Sequence, residues 1–392
     1  MIRPLFLFDI DGVLVKPAGY RRACRAAVNF FTRRMGIGDQ DLGEEIFAMF
    51  ESQNIISEWD MVPLILAAIL DELLGRCPGL RLPEQLSGAF EDINSLRPPP
   101  QVDYQRITSS LGAGFQLGQT YADQALLQNR PGSPNPPFPN LEGQPILADI
   151  LADARNLLKN PVTRIFQQFV LGCQTFQQAY GMPCELETVS YLQEYDRPAL
   201  EKNCRDELLQ LWQNDRLDLA VYTIRPSSLQ PGLAEKALAY SPEAELALQI
   251  NGLEGIPVMG YGQVYRSAEL AGIKTDQILK PSAVQALAAI AAAVFRDELA
   301  AMQAAVDWST GGQSAYFERL PALDIHIYED SSASILGVKR AAEMLMQLDI
   351  PVSLHAWGIA NNPAKISALR SVQAEIVMDV NLAIHKALGQ LF

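Results

Sequence analysis

The chain has 392 residues, 48% of them hydrophobic and 19% charged, with a formal net charge of −14. That length allows two or more cores, and the composition is that of a globular protein. The charge repels polyphosphate backbones, and the longest apolar runs, such as residues 286–295, are too short to cross a bilayer, so neither nucleic acid nor membrane is an expected partner.

Residues 4–14 read PLFLFDIDGVL, an apolar run that stops on Asp9 and Asp11 and is followed at once by Gly12. In an extended strand, side chains two apart project to the same side, so the two carboxylates converge just beyond the strand end. Held close and ionised they repel, unless a cation or proton lies between them. A basic stretch follows directly: Lys16, Arg21, Arg22, Arg25, Arg33 and Arg34, with no acidic residue from 12 to 38. It has two readings, a rim attracting an anionic substrate or a helix face paired with the acidic segment 39–45.

Helical patterns then dominate at 20–35, 44–50, 57–74, 145–158, 162–180 and 199–212. Ser57-Glu58-Trp59-Asp60 has the spacing of a capping box before the apolar run 61–70. Glu58 and Trp59, at the start of that helix, are candidate substrate contacts. Between 98 and 145 the prolines at 98–100 and the segment RPGSPNPPFPN at 130–140 predict a long surface loop. The glycines of 112–118 follow no strand and read as a turn. Phe166, Phe169, Cys173 and Phe176 form a stripe at helical spacing, the mark of a buried face.

Further strands are predicted at 217–222, 257–259, 325–328, 352–355 and 376–378, joined by helical segments. That alternation predicts a parallel sheet with crossover helices. The strand at 5–8 is separated from its partners by some two hundred residues, which marks an all-helical insertion.

Cys24, Cys77, Cys173, Cys184 and Cys204 are scattered and never form Cys-x-x-Cys, which argues against a disulfide framework or a thiolate zinc site and points to a reducing, cytoplasmic setting. His326, His355 and His385 lack a second histidine at ligand spacing, so zinc hydrolysis and Ser/His/Asp catalysis lose support. Carboxylates carry the chemistry instead. Three later segments supply partners at strand ends or crossover loops, where parallel α/β sheets bind ligands. Thr223 ends the strand in LAVYTIRPSS and Arg225 follows it, Lys280 precedes a proline in ILKPSA, and Glu329 and Asp330 end a strand in DIHIYEDSSASILG.

Together these four segments, in this order, resemble the motifs of the haloacid dehalogenase superfamily, in the branch with a helical cap inserted after the first strand. The resemblance implies an α/β fold, a doubly wound, Rossmann-like parallel-sheet core from 1–15 and 216–392, with a helical cap domain from 16–215. It implies that Asp9 is the nucleophile that attacks phosphorus, and Asp11 the acid and base that serves leaving group and water. Thr223 and Lys280 would hold the phosphoryl oxygens, with Arg225 and Arg21 as further substrate contacts. Magnesium would be bound by Asp9, Asp11 through its carbonyl, and Asp330, with Glu329 a neighbouring or alternative ligand. Ser334 stands where many members carry another aspartate. Asp11 favours phosphoryl transfer over dehalogenation, because a halide leaving group needs no proton. The expected function is a phosphatase acting on a small phosphorylated metabolite. A sugar phosphomutase with the same residues and a non-catalytic phosphate-binding module stay open.

Overall fold

The computed structural model describes residues 2–77, 79–92, 101–112, 120–228 and 240–391. The chain divides into two compact units, Met1–Ala18 with Tyr195–Phe392, and Gly19–Glu194.

The first unit is α/β. Its sheet has six strands: β1 (Pro4–Phe8), β4 (Asp218–Tyr222), β5 (Val258–Met259), β6 (Leu323–Glu329), β7 (Val352–Ile359) and β8 (Glu375–Val377). The order is β5-β4-β1-β6-β7-β8 and every pairing is parallel. Succession runs outward from β1 on one side and then, through β6, outward on the other. This is the doubly wound arrangement. Strand alternation supplies both cores, because Leu5 and Leu7 face one side of the sheet and Phe6 and Phe8 the other. The first pair packs with Tyr222, Ile325, Ile327 and the alanine-rich helix Ala283–Phe295. The second packs with Val221, Tyr328, Trp357 and the helices Lys202–Gln213 and Val380–Leu391.

A two-stranded antiparallel ribbon, β2 (Val15–Lys16) with β3 (Arg197–Pro198), joins the outgoing and returning chain in this unit. Helix Lys202–Gln213 therefore belongs with the sheet and not with the insertion expected to run to 215. Cys204, Leu208 and Leu211 bury against the second sheet face, and that burial assigns the helix.

The second unit is helical. Its central helix, Glu58–Arg76, is apolar nearly all round and buried along most of its length, packing against Gly19–Arg34, Tyr121–Gln128 and Pro161–Leu171. Ser57 stands at its N-cap, yet its side chain makes no capping bond, because the hydroxyl accepts from Arg155 Nη2 at 3.0 Å. The segment expected as one long loop holds two helices, Tyr104–Gly112 and Tyr121–Gln128. Each is too short for periodicity to show, and each is fixed from outside itself or at its cap. Arg106 pairs with buried Asp71, and Thr120 accepts from the Asp123 N–H at 3.0 Å. Prolines 98–100 and the glycines after Gly112 lie outside the described residues.

The run 162–180 is two helices, Pro161–Leu171 and Cys173–Tyr180, broken at Gly172. Gly172 has φ of 75°, and a Cβ there would lie 2.5 Å from the Ser190 backbone nitrogen. The expected buried stripe is present across the break: Phe166, Phe169, Cys173 and Phe176 are all buried. Cys173 and Cys184, expected as free thiols, form a disulfide with Cα atoms 5.7 Å apart. Only tertiary packing brings these two together, since no motif spacing marks them.

Candidate active site at the carboxyl ends of the central strands

Asp9 follows β1, Thr223 follows β4, and Glu329 and Asp330 end β6, so all four stand at the carboxyl ends of three adjacent strands. The gap between β1 and β6 is where strand succession reverses. Crossover connections leave in opposite directions there and open a crevice.

Lys280 reaches this point from the loop between Thr275–Gln277 and helix Ala283–Phe295, just before a cis peptide bond to Pro281. Its Nζ lies 2.9 Å from Asp9 Oδ1, pairs also with Glu329, and donates to the Tyr222 carbonyl at 3.1 Å. Burial alone would lower the lysine pKa, but the Asp9 and Glu329 carboxylates carry it well above its ordinary value. The Asp9 carboxyl is pushed up to about 8, chiefly by burial; Lys280 opposes the shift, and Glu329, Asp11 and Asp330 add to it.

Carboxylate oxygens of Asp9, Glu329 and Asp330 lie within 4.8 Å of one another. Asp330 is ion-paired with Lys365, and Gly12 leaves room for it: a Cβ at Gly12, whose φ is 77°, would sit 2.8 Å from Asp330 Oδ2. Three oxygen-donor groups this close suit a hard divalent cation such as magnesium. Glu329 itself is wholly buried, with Oε2 accepting the Ser331 N–H at 2.9 Å. Ser331 caps helix Ser332–Met346, and Ser334 is buried inside that helix's first turn.

Asp11 is held by Arg225 through two hydrogen bonds, Nε to Oδ2 at 2.8 Å and Nη2 to Oδ1 at 2.6 Å. Arg225 is itself buried, and its Nη2 also donates to Asp196 Oδ2 at 3.0 Å. The Thr223 hydroxyl accepts the Arg225 backbone N–H at 3.2 Å.

The sequence missed Asp196, Gln285 and Lys365. Asp196 carries no motif, and its place follows from the ribbon that returns the chain. Gln285 lies in the first turn of a helix whose pattern reads as plain core. Lys365 comes from a different crossover, so only the fold brings it to Asp330.

Of the expected substrate contacts, Arg225 is in this group. Arg21, Glu58 and Trp59 lie in the helical unit. There Arg21 pairs with Glu44 and Glu51, and Arg25 with Glu44, which is the paired-helix-face reading of the basic stretch. Trp59 packs edge-on to Phe166 at 5.7 Å. Glu58 opens the helix Glu58–Arg76. A cavity of about 330 Å³ in this unit, lined in part by Phe30, Arg33, Phe169 and Tyr191, contains no carboxylate.

Two histidines without sequence spacing are neighbours in the sheet. His326 and His355 pair in register on β6 and β7 with rings stacked at 4.5 Å, and His355 Nε2 lies 3.2 Å from Asp324. Trp357 Nε1 donates to His326 Nδ1 at 3.2 Å, so the neutral His326 ring keeps its proton on Nε2. That nitrogen has no lone pair for a metal. Burial lowers the His326 pKa to about 4, with Asp324 opposing and His355 adding.

The sequence matches no protein-family model and no curated protein. Among solved structures, Northeast Structural Genomics Consortium target ZR25 aligns with a TM-score of 0.64 at 13% identity, covering 100% of this chain and 99% of that one. The fold is shared. At that identity the likeness extends no further. Phosphatase Tt82 from Thermococcus thioreducens aligns over 98% of this chain and 99% of its own at 13% identity, with a TM-score of 0.42, too low to carry an argument. No described helix is long and apolar enough to cross a membrane.

Proposed function

We propose that this protein is a magnesium-dependent phosphatase of the haloacid dehalogenase type, acting on a small phosphomonoester. The observation that carries the reading is Lys280 Nζ 2.9 Å from Asp9, beside Glu329 and Asp330, at the carboxyl ends of β1 and β6. A buried carboxylate with a lysine against it and oxygen donors around it suits attack on a phosphoryl group held by a cation.

In this reading Asp9 attacks phosphorus as the leaving oxygen departs, giving an aspartyl-phosphate that water then cleaves. Asp11 gives a proton to the leaving oxygen and takes one from the attacking water. Thr223 and Lys280 hold phosphoryl oxygens, and Glu329 keeps the lysine aimed at Asp9. Asp9, Asp330 and the Asp11 carbonyl would hold magnesium, with Glu329 the alternative. When bound, magnesium offsets the charge of the nucleophile and the phosphoryl group. The helical unit is assigned the part of a cap, with Glu58 and Trp59 its proposed specificity residues; Arg21, taken up by Glu44 and Glu51, is set aside. The cytoplasmic setting expected from unpaired cysteines loses that ground, because Cys173 and Cys184 form a disulfide.

The test is hydrolysis of p-nitrophenyl phosphate with magnesium, with and without chelator, in the wild type and in Asp9→Asn. Metal-dependent turnover in the wild type and none in the variant is expected. Turnover that survives Asp9→Asn would sink the nucleophile assignment, and an inert wild type across a panel of phosphomonoesters would favour a binding module.

A further inference from the structure

Asp196 is the second residue after the chain re-enters the sheet unit, and Ala18 is the last before it leaves. Asp196 Oδ1 accepts the Ala18 N–H at 2.8 Å, while its Oδ2 accepts from Arg225 Nη2 at 3.0 Å. The same guanidinium grips Asp11 with two bonds. The ribbon closes the circuit from the other side. Val15 pairs with Pro198, and the Ala199 N–H bonds to the Leu14 carbonyl at 2.8 Å. Asp11 itself forms a bridge to Val15. The two chain crossings and the second aspartate of the pair are thus one connected polar assembly.

We propose that Arg225 is a positioning residue for Asp11, and that Asp196 holds Arg225 in place, so that proton transfer is aimed from the chain crossings. The inference rests on the phosphatase reading above and extends it to two residues outside the four motif roles. A buried guanidinium needs its charge answered, and here two carboxylates share it, Asp11 through Nε and Nη2 and Asp196 through the same Nη2. A fork also fixes direction. Both Asp11 oxygens are engaged in the guanidinium plane, which sets the carboxyl rotation that a lysine's single ammonium would leave free. During catalysis Asp11 enters the first step protonated, with Asp196 alone answering the Arg225 charge; it gives that proton to the bridging oxygen as the P–O bond breaks, and Arg225 then faces both carboxylates. Asp11 then takes a proton from the water that cleaves the aspartyl-phosphate. Arg225 neither gains nor loses a proton in either step.

The test separates aiming from mere stability. kcat/KM reports steps through departure of the leaving group, and p-nitrophenolate leaves with little protonation whereas an alkoxide must be protonated. The wild type, Arg225→Lys and Asp196→Asn are compared on p-nitrophenyl phosphate and on an alkyl phosphate, with magnesium present. Arg225→Lys is expected to lose about tenfold more kcat/KM on the alkyl ester than on the aryl ester. Asp196→Asn is expected to show a smaller imbalance in the same direction. Equal losses on the two esters would overturn the proposal and leave Arg225 a structural ion. Should Arg225→Lys not fold, the near-isosteric Asp196→Asn decides by the same comparison. A wild type inert on both esters overturns the phosphatase reading and this inference with it, an outcome distinct from equal losses in an active enzyme.

Discussion

Gln285 Oε1 accepts the backbone N–H of Lys280 at 2.6 Å, and this fixes where the lysine leaves the chain. The same amide donates from Nε2 to the carbonyls of Thr223 at 2.8 Å and Met259 at 2.9 Å. One wholly buried side chain therefore ties the ends of β4 and β5 to the loop that carries Lys280. Gln285→Leu would strand the Lys280 N–H and the Thr223 carbonyl in the interior and leave the Met259 carbonyl only the Thr223 N–H, at a cost of about 2–4 kcal/mol. Urea denaturation checks that figure, and a variant as stable as wild type would show that the three groups find other partners.

Lys280 answers two buried carboxylates. Lys280→Met should lower stability by about 3 kcal/mol, since removing one partner leaves buried charge uncompensated. On the phosphatase reading it should also cut kcat at least about a hundredfold, as loss of an oxyanion partner does. Near-wild-type turnover in a folded Lys280→Met protein would remove the lysine from the reaction.

Gly12 is the close approach between the Asp9–Asp11 turn and Asp330. Gly12→Ala would meet both a positive φ and Asp330 Oδ2 at 2.8 Å, so it should cost at least about 1 kcal/mol and displace Asp330. On the phosphatase reading, magnesium titration by calorimetry should show weaker binding than wild type, and unchanged affinity would separate Asp330 from the ion.

His326 should make folding sensitive to mild acid. Its folded-state pKa of about 4 lies below the ordinary 6.5, so between those values the unfolded chain takes up a proton that the native ring refuses. Stability contributed by the neutral ring is present above pH 6.5, falls as pH drops towards 4 and levels off below, by up to about 3 kcal/mol in all. Asp324 and His355 face it and modulate the size of the effect. His326→Gln keeps an acceptor for Trp357 and removes the titration. The difference in unfolding free energy between wild type and variant should therefore shrink or reverse from pH 7 to pH 4.5. A constant difference would show that His326 does not titrate in this window.

Much of the sheet unit was legible because its signals are local. The apolar runs of β1 and β4 stop on Asp9 and Thr223, and β6 ends on Glu329 with Asp330 next. The helical unit was less legible. Helices 104–112 and 121–128 are short, sit among prolines, and are held by Asp71 and by the Thr120 cap rather than by a long amphipathic face. The basic stretch read two ways from sequence, and its pairing with Glu44 and Glu51 is a matter of how helices lie against each other.

The sequence alone determined which residues carry charge at strand ends, because periodicity, strand stops and turn glycines act over a few neighbours. It could not place Arg225 between Asp11 and Asp196, Lys365 on Asp330, His326 beside His355, or Cys184 on Cys173. Those partners are separated along the chain and carry no shared spacing. They meet only when parallel pairing, crossover helices and the ribbon at the chain crossings bring distant segments together, and burial then makes each meeting obligatory for the polar groups involved.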